Sequence, residues 1–293
     1  MRRLGLQEIA CPDFDLALTL DSGQVFHWEP FRAGFVGLMG DRSTYVEQKK
    51  ETLFVTRGAG EIARRYFALD HPLREICGAF PQDQAMSEAR AYCVGLRIIR
   101  QPLWECLATF ITSSMKQVAH VRQMSRALRE RFGKRFSLDE LNLFSFPSAD
   151  RLARTTEKQL RDCALGYRAK NLLATAQQVS AGEADLNSWR ELADDKLRAR
   201  LCELPGVGVK VANCVMLFAY ERLRAFPVDV WIERVLREKY FPRKRKVTAT
   251  QLQDFCQDYF GEHGGYAQQY LFHHARKTTA RSRTVRSSPA RAH

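Results

Sequence analysis

No apolar run in the 293 residues approaches the roughly 18 that a spanning helix needs, which excludes a helical transmembrane protein. The opening residues, MRRLGLQEIACPDFD, carry two arginines, but Glu8, Asp13 and Asp15 follow without a long apolar core, so they do not read as a secretory signal. No two of the eight cysteines (Cys11, Cys77, Cys93, Cys106, Cys163, Cys202, Cys214 and Cys256) stand three apart, and no Cys/His cluster has zinc spacing. Most lie in apolar, helical-looking segments and read as reduced core thiols in a reducing compartment. There are no internal repeats. Charged residues at 27% and hydrophobic ones at 45% exclude collagen, wholesale disorder and a disulfide-dense mini-protein.

Acid is missing where base is densest. Residues 276–293 hold Arg276, Lys277, Arg281, Arg283, Arg286 and Arg291 with no Asp or Glu, so this stretch carries +6 of the formal +13 and leaves +7 on the body. Such a tail reads as disordered, and the charge on the body suits a polyanion, with nucleic acid the leading candidate.

Two periods divide the chain. Residues 35–39, 44–47 and 53–56 read as short strands, with turns at Gly40-Asp41 and Lys49-Lys50, in an antiparallel sheet whose outer face carries charge. From about residue 86 the apolar spacing is helical, over 86–96, 103–113, 118–132, 149–154, 157–163 and 169–181, then 194–203, 210–220, 230–239, 249–260 and 265–274. Pro102 suits a first helical turn and Ser148 an N-cap. The expected architecture is α+β: a small antiparallel-sheet domain over 1–85, an all-α domain over 86–275 and a basic disordered tail over 276–293.

Between two of these helices lies Leu204-Pro205-Gly206-Val207-Gly208-Val209-Lys210. Two glycines two apart permit a tight turn and close approach to a ligand. The free amides and dipole of a helix starting at Val209 or Lys210 make an anion site suited to a DNA phosphate at Gly206 and Gly208. The plain alternative is an ordinary helix–helix turn. Nineteen residues beyond Lys210 stands Asp229, in Pro227-Val228-Asp229-Val230-Trp231, where an isolated Asp reads as an N-cap.

Taken together, the hairpin and Pro-Val-Asp resemble the helix-hairpin-helix DNA glycosylase superfamily, whose members with lysine at the position of Lys210 are bifunctional. The resemblance makes Lys210 and Asp229 the catalytic pair. Breaking an N-glycosidic bond builds oxocarbenium charge that a nearby carboxylate stabilises, and a neutral amine then captures C1′ as a Schiff base. Partial burial and the helix N-terminus would lower the lysine pKa, and the neighbouring Asp would oppose them.

Further segments narrow the family. Ser22-Gly23-Gln24-Val25-Phe26-His27-Trp28 is similar to the Ser-Gly-Gln-x-Phe-x-Trp segment of 8-oxoguanine DNA glycosylases. Tyr66-Phe67-Ala68-Leu69-Asp70, Gly95-Leu96-Arg97, Gln101, Glu105-Cys106, Ser113-Ser114 and Leu165-Gly166-Tyr167-Arg168-Ala169 follow that family's pattern, and Tyr266–Phe272 resembles its Trp-Ala-Gln-x-x-Leu-Phe. The resemblance covers about residues 4–275. It implies that the Gly23 carbonyl meets the N7 hydrogen unique to the oxidised base. Guanine would leave two acceptors facing each other there, a mismatch of about 1–3 kcal/mol. It also implies that Gln268 reads the Watson–Crick edge, that Phe272 and Cys214 sandwich the extruded base, that Tyr167 wedges into the stack and that Arg168 reaches the orphaned partner. On residue type alone, Phe272 would be core packing, Cys214 a buried thiol, Gly23 a turn glycine and Tyr167-Arg168 a surface pair.

The chain departs from eukaryotic members at three places. Met115 and His120 replace an asparagine and a second cytosine-reading arginine, and Trp231 replaces a histidine. Relaxed opposite-base preference is therefore expected. On type alone, His120 is a helix-surface residue and Met115 a core filler. No four-cysteine loop follows Asp229, unlike endonuclease III or the adenine glycosylases, and the chemistry requires no cofactor and no metal. The expected partner is duplex DNA carrying oxidised guanine, met by a monomer away from any membrane, in the cytoplasm (at the nucleoid) of a bacterium or the nucleus of a eukaryote. Two rivals remain: an alkylpurine glycosylase, which Lys210 disfavours, and a non-enzymatic hairpin module, which leaves Asp229, Gln268 and Gly23 unexplained.

Overall fold

The computed structural model describes residues 5–113, 117–243 and 246–286, with side chains described as far as Thr278. A five-stranded antiparallel sheet is built from β1 (Leu6–Ala10), β2 (Glu29–Phe31), β3 (Gly34–Met39), β4 (Arg42–Lys49) and β5 (Thr52–Thr56), in the order β1-β5-β4-β3-β2. The three expected strands are β3, β4 and β5, paired as successive hairpins with Val36 opposite Tyr45 and Val46 opposite Val55. One face buries Ile9, Met39, Val46, Leu53 and Val55 beneath two short helices, α1 (Leu16–Asp21) and α2 (Gly60–Tyr66). Neither helix was expected. Each spans fewer than two full turns, too short for a 3.6-residue period to emerge from the sequence.

The outer face departs from expectation. At one end it carries charge, with Lys49 paired to Glu47 at 2.8 Å. At the other end Val36, Leu38 and Tyr45 are apolar and lie under Leu138 and Leu143 of a second hairpin, β6 (Arg135–Leu138) and β7 (Leu141–Phe144). This hairpin leaves the helical part of the chain and returns to cap the sheet. Successive side chains in a strand point to opposite faces, so an apolar residue on the second face needs such a cover.

The remaining helices are α3 (Leu73–Gly78), α4 (Gln84–Tyr92), α5 (Leu103–Ser113), α6 (Val118–Phe132), α7 (Ala149–Ala153), α8 (Glu157–Leu160), α9 (Arg168–Ser180), α10 (Asp194–Cys202), α11 (Val209–Phe218), α12 (Val230–Val235), α13 (Ala249–Phe260) and α14 (Gly264–Arg286). Helix α5 is buried at Cys106–Thr112, and α11 at every residue from Val211 to Phe218. A helix apolar on all sides belongs inside, and α11 runs through the centre of the core with only its first turn at the edge. Tyr266 and Tyr270 of α14 are fully buried, each contributing about 1.5–3 kcal/mol.

The expected boundary at residue 85 is not where packing changes, because Leu73, Ile76, Cys77 and Phe80 already belong to the helical core. The two units are bolted together by buried polar groups. Gln24 Nε2 donates to the Arg97 carbonyl at 2.7 Å and its Oε1 accepts from Ile99 N at 2.7 Å, while Arg97 Nη1 donates to the Ala68 carbonyl at 2.6 Å. The stretch assigned to a tail from residue 276 also differs: α14 continues to Arg286. Among the described residues no helix is long and apolar enough to cross a membrane.

Candidate active site

The hairpin joins α10 to α11. Gly206 has φ +80°, which only glycine adopts readily, and a side chain there would strike Asn171 of α9 at 2.8 Å. Gly208 is the N-cap of α11 and faces open space, so its role is exposure of backbone rather than strain. Thr175 Oγ1 donates to the Pro205 carbonyl at 3.0 Å, which seats the hairpin on α9.

Lys210 stands on the first turn of α11, half-buried, with its ammonium 5.3 Å from the centroid of the Phe110 ring. Phe110 in turn stacks on Phe218 at 5.4 Å, so this aromatic floor is fixed by the core. Burial of the Cys214 thiol, one turn along from Lys210, pushes it above its ordinary pKa and keeps it neutral, opposed by the Lys210 charge.

Asp229 is the N-cap of α12, as its residue type suggested. Its Oδ1 accepts from Trp231 N at 3.0 Å and Ile232 N at 2.9 Å. Among the described residues no hydrogen bond reaches Oδ2. The cap role is thus filled by one oxygen, leaving the other for the cavity that Asp229 lines together with Lys210. Burial raises the carboxyl pKa above its ordinary value, opposed by the Ile232 amide, the Lys210 charge and the Trp231 amide.

That cavity, about 80 Å³, is lined also by Gly23, Cys214, Gln268 and Phe272, so the six residues expected to form the catalytic pair and the base pocket converge on one place. They come from α1's trailing turn, α11, α12 and α14. Gly23 has φ +88°, and a side chain there would meet Phe272 Cε1 at 3.1 Å. The carbonyls beside it are engaged: Ser22 accepts from Gln269 Nε2 at 2.9 Å, and Gln24 from Gln101 Nε2 at 2.8 Å. Among the described residues nothing donates to the Gly23 carbonyl. Gln268 is 4% exposed and its Oε1 is buried without a partner. An unpaired buried amide oxygen costs about 1–3 kcal/mol, an expense native proteins retain where a ligand completes the bond.

The residues expected at the opposite strand are less gathered. Tyr167 is 58% exposed at the start of α9, as a wedge requires. Arg168 is buried, with its guanidinium 4.3 Å from the Tyr167 ring centroid and Nη1 donating to the Leu165 carbonyl at 3.5 Å, so it must swing outward to touch a base. His120 is exposed on the first turn of α6, and Met115 lies outside the described residues. Among the described residues no His, Cys, Asp or Glu groups could hold a metal ion.

Three residues that position the site carried no sequence signal of their own: Phe110 beneath Lys210, Gln269 holding Ser22, and Arg276. The last was assigned to the disordered tail. Its side chain is instead largely buried, ion-paired with Asp21 at 3.7 Å and set over Phe272 at 5.7 Å. Such contacts span the whole chain and have no local pattern.

Residues 8–107 match the family model described as 8-oxoguanine DNA glycosylase, N-terminal domain, and residues 108–258 match that of HhH-GPD superfamily base excision DNA repair protein. The chain is 28% identical over 280 residues to the N-glycosylase/DNA lyase OGG1 of Arabidopsis thaliana, covering 89% of this chain and 77% of that one. Its fold is similar to MBOgg1 in complex with a low affinity DNA ligand, with TM-score 0.89, 29% identity and 95% and 98% of the two chains covered. It is also similar to the Clostridium acetobutylicum 8-oxoguanine glycosylase/lyase in complex with duplex DNA containing cytosine opposite 8-oxoG, with TM-score 0.87, 28% identity and 94% and 98% covered. The chain belongs to the HhH-GPD superfamily of base excision DNA repair proteins and carries the N-terminal domain of the 8-oxoguanine DNA glycosylases.

Proposed function

We propose that this protein is a bifunctional base excision repair enzyme that removes 8-oxoguanine from duplex DNA and cleaves the strand at the resulting site. The observation that carries this reading is the convergence of Lys210, Asp229 and the unsatisfied Gln268 amide on one cavity. A hairpin that only gripped backbone would need none of them.

In this reading the Lys210 amine attacks C1′ while the bond from C1′ to the base breaks. The bonding electrons leave with the base, which takes up a proton. Asp229, ionised, offsets the positive charge that develops on the sugar. Opening of the sugar ring and loss of an amine proton give the imine between Nζ and C1′. Removal of a C2′ proton then expels the 3′ phosphate and nicks the strand by β-elimination. The Gly23 carbonyl selects the protonated N7, Gln268 completes its missing hydrogen bond on the base edge, and Phe272 and Cys214 hold the two faces. Gly206 and Gly208 present amides to a backbone phosphate. Every group invoked lies within one chain, which suits action as a monomer, and a DNA substrate would call for action at the nucleoid of a bacterium or in the nucleus of a eukaryote.

Borohydride added during turnover of a duplex with one 8-oxoguanine should trap wild-type protein on the DNA. Lys210→Ala should give no trapped species, and an equal yield would overturn the assignment. An alkylpurine glycosylase would leave this duplex unnicked, and a binding module would only retard it in a gel.

A further inference from the structure

We propose that Arg276 is a positioning residue that holds the Gly23 turn against the Phe272 ring from behind, and so sets where the edge-reading carbonyl stands relative to one face of the base slot. This rests on reading Gly23 as the edge reader and Phe272 as one face of the slot for the extruded base. Arg276 lies one turn beyond Phe272 on α14. Its Nη2 donates to the Asp21 carbonyl, two residues before Gly23, and faces the Asp21 carboxylate at 3.7 Å. Its Nη1 lies 3.5 Å from where a Gly23 side chain would begin, and its guanidinium carbon lies 5.7 Å from the Phe272 ring centroid. One side chain therefore touches both walls.

The remaining contacts describe a group held in place rather than a solvated charge. His273 Nδ1 is 3.2 Å from Nη2, and Nε is buried without a hydrogen-bond partner. Asp21 is also paired with Arg122 at 3.4 Å and with Lys277, so its carboxylate fixes a cationic rim around this end of α1. A planar, multiply donating cation can lie over a ring and fork to a backbone at once, whereas an ammonium cannot do both. Gly23 and Phe272 both line the cavity of about 80 Å³, so the spacing that Arg276 sets between them fixes where the Gly23 carbonyl meets the edge of a base lying on the Phe272 ring.

The test compares full-length wild type, Arg276→Met and Arg276→Lys on two duplexes, one carrying 8-oxoguanine and one a preformed abasic site. Cleavage at the abasic site needs Lys210 and a grip on the duplex but no base in the slot. The ratio of single-turnover base excision to abasic cleavage should fall about tenfold for Met and less for Lys, since misplacement of about 1 Å away from the chemistry is worth up to that much or more. Preference for 8-oxoguanine over guanine should fall alongside. An unchanged ratio in the variants, or equal loss on both duplexes, overturns the proposal. If Arg276→Met does not fold, Arg276→Lys alone decides by the same ratio. A wild type that cleaves the abasic duplex but never the 8-oxoguanine duplex refutes the functional reading instead, and the ratio is then measured on the damaged purine it does remove.

Discussion

A methyl group on Gly23 would begin 3.1 Å from Cε1 of Phe272, so a turn in the sheet domain and the last helix meet at a separation that a side chain could share only if the ring gave way. The geometry is held from both ends. Gln269 and Gln101 fix the carbonyls beside Gly23, and the Tyr266 and Tyr270 rings root α14 in the core.

Gly23→Ala combines a left-handed backbone conformation with that contact. The strain is about 1–2 kcal/mol and should lower Tm by roughly 2–6 °C. Excision of 8-oxoguanine should fall about 10- to 100-fold, with abasic-site cleavage reduced far less. Parallel loss on both duplexes would show that the turn serves only the fold.

Asp229→Asn separates the cap from the charge, because asparagine caps as well as aspartate. The Asp229 pKa is raised by burial, so the folded chain holds this proton more tightly than the unfolded chain does. Its favourable contribution is complete below the ordinary carboxylate pKa and is lost as pH rises through the raised value. Asparagine should therefore raise Tm at neutral pH, with the gain shrinking on acidification, while excision falls about 100- to 1000-fold. Wild-type excision should lose activity on its acid limb above the ordinary aspartate range. Melting curves and rates over a pH series check both signs, and a lower Tm for the variant at neutral pH would contradict them.

Tyr167 is exposed with its ring 4.3 Å from the Arg168 cation, so Tyr167→Ala should leave stability within about 0.5 kcal/mol. Excision from a fully paired duplex should drop at least about tenfold, and less from a single strand, where no stack needs opening. Equal losses on the two substrates would remove the wedge role.

In the proposed reading Arg168 carries the contact to the orphaned base, and exposed His120 lacks the guanidinium fork. Rates opposite C, A, G and T should lie within about 150-fold of one another, since one bidentate contact gives about 1–3 kcal/mol of discrimination. A steep preference for C over A would show that other groups read the partner.

Deleting 279–293 removes Arg281, Arg283, Arg286 and Arg291 but spares Arg276 and Lys277. DNA affinity should weaken and the salt slope should fall by up to about 3–4, while single-turnover excision at saturating DNA changes little. Deleting 276–293 should in addition lower excision, because it removes the Arg276 contacts to Asp21 and Phe272.

The helical half was legible because its longer helices repeat an apolar face over several turns, as over 103–113 and 118–132, where expected and observed bounds agree. The short α1 and α2 were not, and neither was the apolar patch of Val36, Leu38 and Tyr45 that needs a hairpin from elsewhere. The proposed catalytic pair, Lys210 and Asp229, was legible because hairpin chemistry is local: glycines, a helix N-terminus and a capping aspartate follow one another along the chain. Sequence alone thus determined the helix-hairpin-helix, the likeness to a glycosylase and which residue types could do the chemistry. Only tertiary structure decided that Gly23, Lys210, Asp229, Gln268 and Phe272 share one cavity, that Gln268 is left with an unmet hydrogen bond, and that Arg276 packs against Asp21 and Phe272. Those facts depend on contacts between residues far apart in the chain, and only the gathering of the Gly23 turn, α11, α12 and α14 around one cavity brings them within reach of one another.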